Sequence, residues 1–97
     1  MNIFGYDFEG PYKISGEIIY NPAVYIIVDS YNRVIDVGQV SKEGLDLSDH
    51  ERRICWEENK GIYFYVADMP IRYCDKEDRD LLVSQIIEVM KHMPCAV

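Results

Sequence analysis

The 97 residues carry 48% hydrophobic and 28% charged side chains, the make-up of one small globular domain with a single modest core. No run approaches the ~18 apolar residues that cross a bilayer, and Met1–Asp7 lacks the cationic start and apolar segment of a secretory signal, so no membrane association and a cytoplasmic location are expected. The net charge of −7, from 10 Lys and Arg against 17 Asp and Glu, weighs against nucleic acid, whose phosphates are bound through cations, and favours a protein partner.

Residues 1–21 read as an irregular arm or an extra strand, with Gly5, Gly10 and Pro11 interrupting any period. Glu17–Tyr20 is a candidate short strand stopped by Asn21-Pro22. Tyr25–Val28 is a continuous β-branched and aromatic run, Asp29–Asn32 supplies turn chemistry, and Val34–Val37 returns to Gly38. An unbroken apolar strand implies burial on both faces. After a polar connection, Ser48-Asp49-His50-Glu51 fits a capping box, and a helix is expected from there, or from a turn earlier near Leu45, to a glycine cap at Gly61. Leu47, Ile54, Cys55 and Trp56 would form its apolar side. Ile62–Ala67 reads as the next strand, halted by Asp68-Met69-Pro70, and Ile71–Cys74 leads on to the last helix. That helix has Asp75, Glu77 and Asp78 at its start and Lys91 and His92 at its end, as the helix dipole favours. Leu82, Val83, Ile86, Ile87, Met90 and Met93 make one face apolar, and Pro94 closes it. The order predicts a single α+β domain over residues 1–97, a small, mostly antiparallel sheet of three strands, or four with the N-terminal segment, flanked by helices.

Cys55, Cys74 and Cys95 are odd in number and form no Cys-x-x-Cys pair, so three buried small residues are expected. If the two helices pack side by side, His50, Cys55, His92 and Cys95 could instead meet around zinc. Arg52 and Arg53 sit beside His50, but Asp49, Glu51, Glu57 and Glu58 flank them, the pattern of a solvated helix face.

The hairpin resembles the GIY-YIG nuclease superfamily, whose members carry Gly-Ile-Tyr on one strand and Tyr-Ile-Gly on the next. Ala23-Val24-Tyr25 and Asp36-Val37-Gly38 stand in these places, followed by Gln39, a helix with His50, a third strand and a helix ending in proline. Asp-Val-Gly, Cys55-Trp56 and Pro94-Cys95 resemble one bacterial subfamily in particular. Gly61-Ile62-Tyr63 spells the first motif literally, but Tyr73-Cys74-Asp75 downstream lacks the partner glycine. The resemblance implies a GIY-YIG-like fold and metal-dependent phosphodiester cleavage. In the family two tyrosines help to activate the nucleophile, an Arg stabilises phosphate charge and a Glu holds the metal. Tyr25 matches the first tyrosine and Asp36 takes the second's place. The Arg position falls on Asp46, and the Glu position on Ser84, or on Val83 in another alignment of the last helix.

Two readings follow. The first is a catalytically degenerate GIY-YIG-fold domain acting as a binding or interaction module, without a cofactor, its eight tyrosines offering contact area. The alternative is a metal-dependent DNA endonuclease with a rearranged active site. It would use Tyr25, Asp36, His50 and Arg53 (or Arg52), with Glu88, one turn beyond Ser84, as the ligand for Mg²⁺ or Mn²⁺.

Overall fold

The computed structural model describes residues 2–14, 18–19, 22–41, 44–47, 50–68, 76–90 and 92–96. Strand β1 (Asn2–Ile3) pairs with β2 (Tyr6–Asp7) as a small hairpin, and β3 (Glu9–Lys13) follows. β4 (Ile18–Ile19) precedes the central pair β5 (Ala23–Val28) and β6 (Val34–Val40), then come β7 (Leu45–Asp46), α1 (Arg53–Glu58), β8 (Tyr63–Asp68) and α2 (Lys76–Val89). The main sheet has the order β3-β8-β5-β6 and every pairing in it is antiparallel. β4 and β7 form a separate two-stranded ribbon.

The expected α+β architecture is therefore present, with four strands in the main sheet. The fourth strand comes from the N-terminal segment, so of the two expectations for residues 1–21, an irregular arm or an extra strand, the strand is the one present over Glu9–Lys13. β3 joins the far side of β8 and so becomes one edge of the sheet, while β6 is the other. Leu45, an expected helix start, instead pairs with Ile19. Ser48 and Asp49 of the expected capping box, the lead Ile71–Cys74, Asp75 and Lys91 lie outside the described residues.

The uninterrupted apolar run of β5 is explained by its place between β8 and β6 and between two cores. Every residue of the strand is buried. Val24, Ile26 and Val28 face α2, meeting Leu82 and Ile86, with Phe8, Val37, Ala67 and Met93 around them. Ala23, Tyr25 and Ile27 face the opposite way, toward Leu47, Trp56, Phe64 and Cys95. This is the period of two of a strand, with both faces covered.

The hairpin turn is closed by Asp29, whose carboxylate accepts the Tyr31 and Arg33 amides at 2.9 Å each and pairs with Arg33 Nε at 2.8 Å. Past the turn, Val28 pairs with Val34 but Ile27 pairs with Asp36, leaving Ile35 as the extra residue of a bulge. Consequently Ile35 and Asp36 are both committed to the α1 side, Ile35 in its apolar cluster and Asp36 to Trp56.

α1 is short, with six residues, and its N-cap residue Arg52 makes no side-chain cap bond. Ile54, expected on its apolar side, is 70% exposed, whereas Trp56 is fully buried. The helix ends where the Gly61 amide donates to the Trp56 carbonyl at 2.7 Å. The left-handed residue there is Lys60, at φ 59°. Gly61 is needed for space instead, since a Cβ on it would come within 2.1 Å of Ile35 Cδ1.

The largest departure from expectation is covalent. Cys55 and Cys95 form a disulfide with Cα atoms 5.8 Å apart. The bridge consumes both sulfurs of the suggested zinc quartet. His50 lies against Trp56 and His92 lines a different cleft with Asp29, Arg33 and Pro94, so the four do not converge. Among the described residues, no three His, Cys, Asp or Glu side chains come together to hold a metal.

Candidate functional site

Tyr25 of β5 lies opposite Gly38 of β6. A Cβ at Gly38 would stand 2.3 Å from the Tyr25 hydroxyl oxygen, so the glycine makes room for the ring to cross the neighbouring strand toward the sheet edge. The motif spacing thus has a direct physical meaning: it sets a tyrosine over a glycine at the rim of the sheet.

The turn before α1 supplies the tyrosine's partner. His50 Nε2 lies 3.0 Å from the Tyr25 hydroxyl, and His50 Nδ1 accepts the Arg52 backbone N–H at 3.0 Å. An Nδ1 that accepts carries no proton, so in the neutral ring Nε2 bears it and donates to the tyrosine oxygen. The Tyr25 hydroxyl proton is then free to point elsewhere. Burial lowers the His50 pKa below its ordinary value, with Arg52 acting the same way against Asp36 and Glu51. Burial pushes the Tyr25 pKa up to about 12, with Arg52 opposing and Asp36 reinforcing it. At neutral pH this pair is an uncharged imidazole supporting a protonated phenol.

Asp36 is fully buried. Its Oδ2 accepts Trp56 Nε1–H at 2.6 Å and lies 2.9 Å from Arg52 Nε, and its Oδ1 accepts the Val37 amide at 2.8 Å. Arg52 Nε has no aligned hydrogen bond, so its contact with Asp36 is an ion pair with the N–H directed off the line. Arg52 Nη2 donates to the Val37 carbonyl at 3.3 Å. Burial raises the Asp36 pKa, opposed by Trp56 and Arg52. A carboxylate with its oxygens so committed organises the site and is poorly placed to act as base or ligand. It and Arg52 also occupy the outward amide and carbonyl of Val37, while the Cys95 amide takes the Ile35 carbonyl at 3.0 Å. The exposed edge of β6 is thereby covered over these residues.

Trp56 packs the assembly together, stacked on His50 with centroids 4.7 Å apart and edge-on to Tyr25 at 6.4 Å. Above these groups a cleft of about 270 Å³ runs over the β6 edge, lined by Tyr25, His50, Glu51 and Arg52 on one side. Val83 and Ile87 of α2 form its other wall, with Val37, Gly38 and Gln39 along the floor. Gln39 ties that floor to α2, donating from Nε2 to Asp80 and accepting Arg79 Nε at 3.1 Å.

Of the residues expected in a site, Tyr25, His50 and Asp36 come together here. Arg53 does not line the cleft and instead forms a surface pair with Glu57 at 3.0 Å. The arginine in the cleft is Arg52. Glu88 is exposed on α2 and is not among the lining residues. Asp46 sits in β7, and of the two positions considered for a metal-binding Glu, Ser84 is exposed while Val83 lines the cleft. Trp56 and Arg52 were missed as partners of Asp36. The available signal was an aspartate inside a buried strand, which must be paired and hydrogen-bonded.

The donor set is a poor fit for Mg²⁺ or Mn²⁺, which take several oxygen ligands. Glu51 is the single carboxylate lining the cleft among the described residues, and both His50 nitrogens are occupied. What the arrangement offers is hydrogen-bond donors from Tyr25 and Arg52 beside an apolar wall. Comparison with family models, curated proteins and solved structures gives no significant match to this chain.

Proposed function

We propose that the protein is a catalytically degenerate GIY-YIG-fold domain that works as a cytoplasmic binding or interaction module, with the Tyr25–His50–Arg52 cleft as its binding site. The observation that supports this most is the α2 wall, where Val83 and Ile87 stand across from Tyr25 and, among the described residues, α2 adds no carboxylate to the lining. A group of donors held ready on one side and an apolar surface on the other suits recognition of an acceptor-bearing ligand. The acidic balance of the chain favours a protein partner over nucleic acid.

The competing reading, an Mg²⁺- or Mn²⁺-dependent endonuclease with a rearranged site, draws on the convergence of Tyr25, His50 and Arg52. Incubation of the purified protein with supercoiled plasmid and with single-stranded, duplex and branched DNA separates the two. No cleavage above a metal-free control is expected. Metal-dependent cleavage that Tyr25→Phe or Glu88→Gln abolishes would overturn the binding-module proposal.

A further inference from the structure

The disulfide stands directly behind the cleft. Cys55 precedes Trp56 on α1, and Trp56 holds Asp36, stacks on His50 and meets Tyr25. At the other end of the bridge, the Cys95 amide closes the β6 edge at the Ile35 carbonyl, 3.0 Å away. Asn59, which follows α1, donates from Nδ2 to the Cys55 carbonyl at 2.8 Å and lies 3.7 Å from the Cys95 sulfur.

α1 has little to hold it by itself. It spans six residues, lacks a side-chain N-cap and has no acidic group in its first turn. A helix of that length does not persist alone in water. Its position rests on the burial of Trp56, the Trp56–Asp36 hydrogen bond and the covalent tie to residue 95, and the C-terminal segment adds that same tie to the burial of Met93 and the Cys95–Ile35 hydrogen bond.

We propose that the Cys55–Cys95 bridge is a redox latch on the Tyr25–His50–Arg52 cleft, fixing α1 and the 92–96 segment against β6 when closed and loosening both when opened. The proposal concerns regulation of the cleft and rests on reading that cleft as a binding site. In a reducing cytoplasm such bridges are transient and redox-sensing. Opening requires a dithiol reductant. One of its thiolates attacks a bridge sulfur, the S–S bond breaks and a mixed disulfide forms. Its second thiolate then displaces the remaining protein sulfur. Two electrons and two protons pass to the protein, giving two thiols and a cyclic disulfide. Closing is the reverse exchange with a small-molecule disulfide such as oxidised glutathione.

The test uses the full chain carrying Cys74→Ser, so that the third thiol cannot exchange. Alkylation followed by mass measurement counts free thiols, amide hydrogen exchange reports the two segments, and the single tryptophan reports the site by fluorescence. After oxidised glutathione, no thiol should be alkylated. After dithiothreitol, two should be, with exchange at Cys95 at least tenfold faster, Trp56 emission shifted to the red, and exchange within β5 and β8 unchanged. A further Cys95→Ser change, which leaves Cys55 as the single thiol, should give the open exchange pattern at residue 95 and the red-shifted Trp56 emission with or without reductant. Two free thiols after oxidation, unchanged exchange at Cys95 after reduction, or loss of the whole sheet on reduction would each overturn the latch. None of these readouts needs a ligand, so a cleft that binds nothing would defeat the binding reading while leaving the latch itself tested.

Discussion

The two faces of the central sheet are built on different physics, although the same strand supplies both. On the α2 face, β5 offers Val24, Ile26 and Val28 to a 14-residue helix through Leu82 and Ile86. On the α1 face, it offers Ala23, Tyr25 and Ile27 to a six-residue helix, and the packing is completed by a buried ion pair, a stacked imidazole and a disulfide. A long helix can seal a face with side-chain area alone. A short one cannot, so its face is held by specific directional contacts, and these same contacts place polar groups at the sheet edge.

The strongest way to break this comparison is to remove one anchor from each face. Asp36→Ala leaves Trp56 Nε1 and Arg52 without their buried partner and should cost about 3–5 kcal/mol, read as a fall in the urea midpoint. Leu82→Ala on the other face should cost about 2–5 kcal/mol through a cavity. The two differ in reach. Asp36→Ala should alter Trp56 fluorescence in the protein that remains folded, and Leu82→Ala should leave it unchanged. Equal disturbance of Trp56 by both variants would show that the faces are not independent.

A smaller effect is expected from Gly38→Ala. The added methyl meets the Tyr25 hydroxyl and ring and should cost about 1–3 kcal/mol by overpacking. The Tyr25→Phe, Gly38→Ala double variant removes the closest contact and should recover part of that loss. If it recovers nothing, the clash lies elsewhere than at the hydroxyl.

The smallest expected effect is a pH dependence confined to the α1 face. The folded-state pKa of His50 is lowered below 6.5 by burial, so the unfolded chain binds that proton more readily. Its contribution to stability is complete above 6.5 and is lost as pH falls from there through the lower folded-state value. Asp36, whose folded pKa is raised above 3.8, acts in the opposite sense, its contribution growing as pH falls through that raised value. Tyr25, Glu51 and Arg52 complete the groups facing the imidazole. Because other groups titrate nearby, the useful measurement is the difference between wild type and His50→Gln in urea midpoint from pH 7.5 to 5.5. The wild type should lose more, and an equal loss in both would contradict the assignment.

How much of this was legible follows from which interactions are local. The central hairpin and the last helix could be read because strand alternation, turn chemistry at Asp29–Asn32 and the three-and-four spacing of Leu82, Val83, Ile86 and Ile87 are written within a few residues. The N-terminal segment stays open between arm and strand in the sequence because Gly10 and Pro11 interrupt its period, and both are tolerated because β3 is an edge. The expected helix start differs from the observed one because residues 50–52 form a turn in which His50 meets Tyr25 and Arg52 meets Asp36, contacts spanning 25 and 16 positions that no local pattern encodes. Arg52 and Arg53 are adjacent and chemically identical, so only the direction of the turn decides which enters the cleft.

The sequence by itself thus determined the α+β class and the buried hairpin, since hydrophobic period and turn chemistry are properties of short segments. The tertiary structure decided that Asp36 would be an internal anchor, that Arg52 and not Arg53 would face the cleft, that Val83 would form its far wall, and that Cys55 would meet Cys95. Those outcomes depend on which distant elements pack against the two faces of one strand, and that is settled by the collapse of the whole chain around β5.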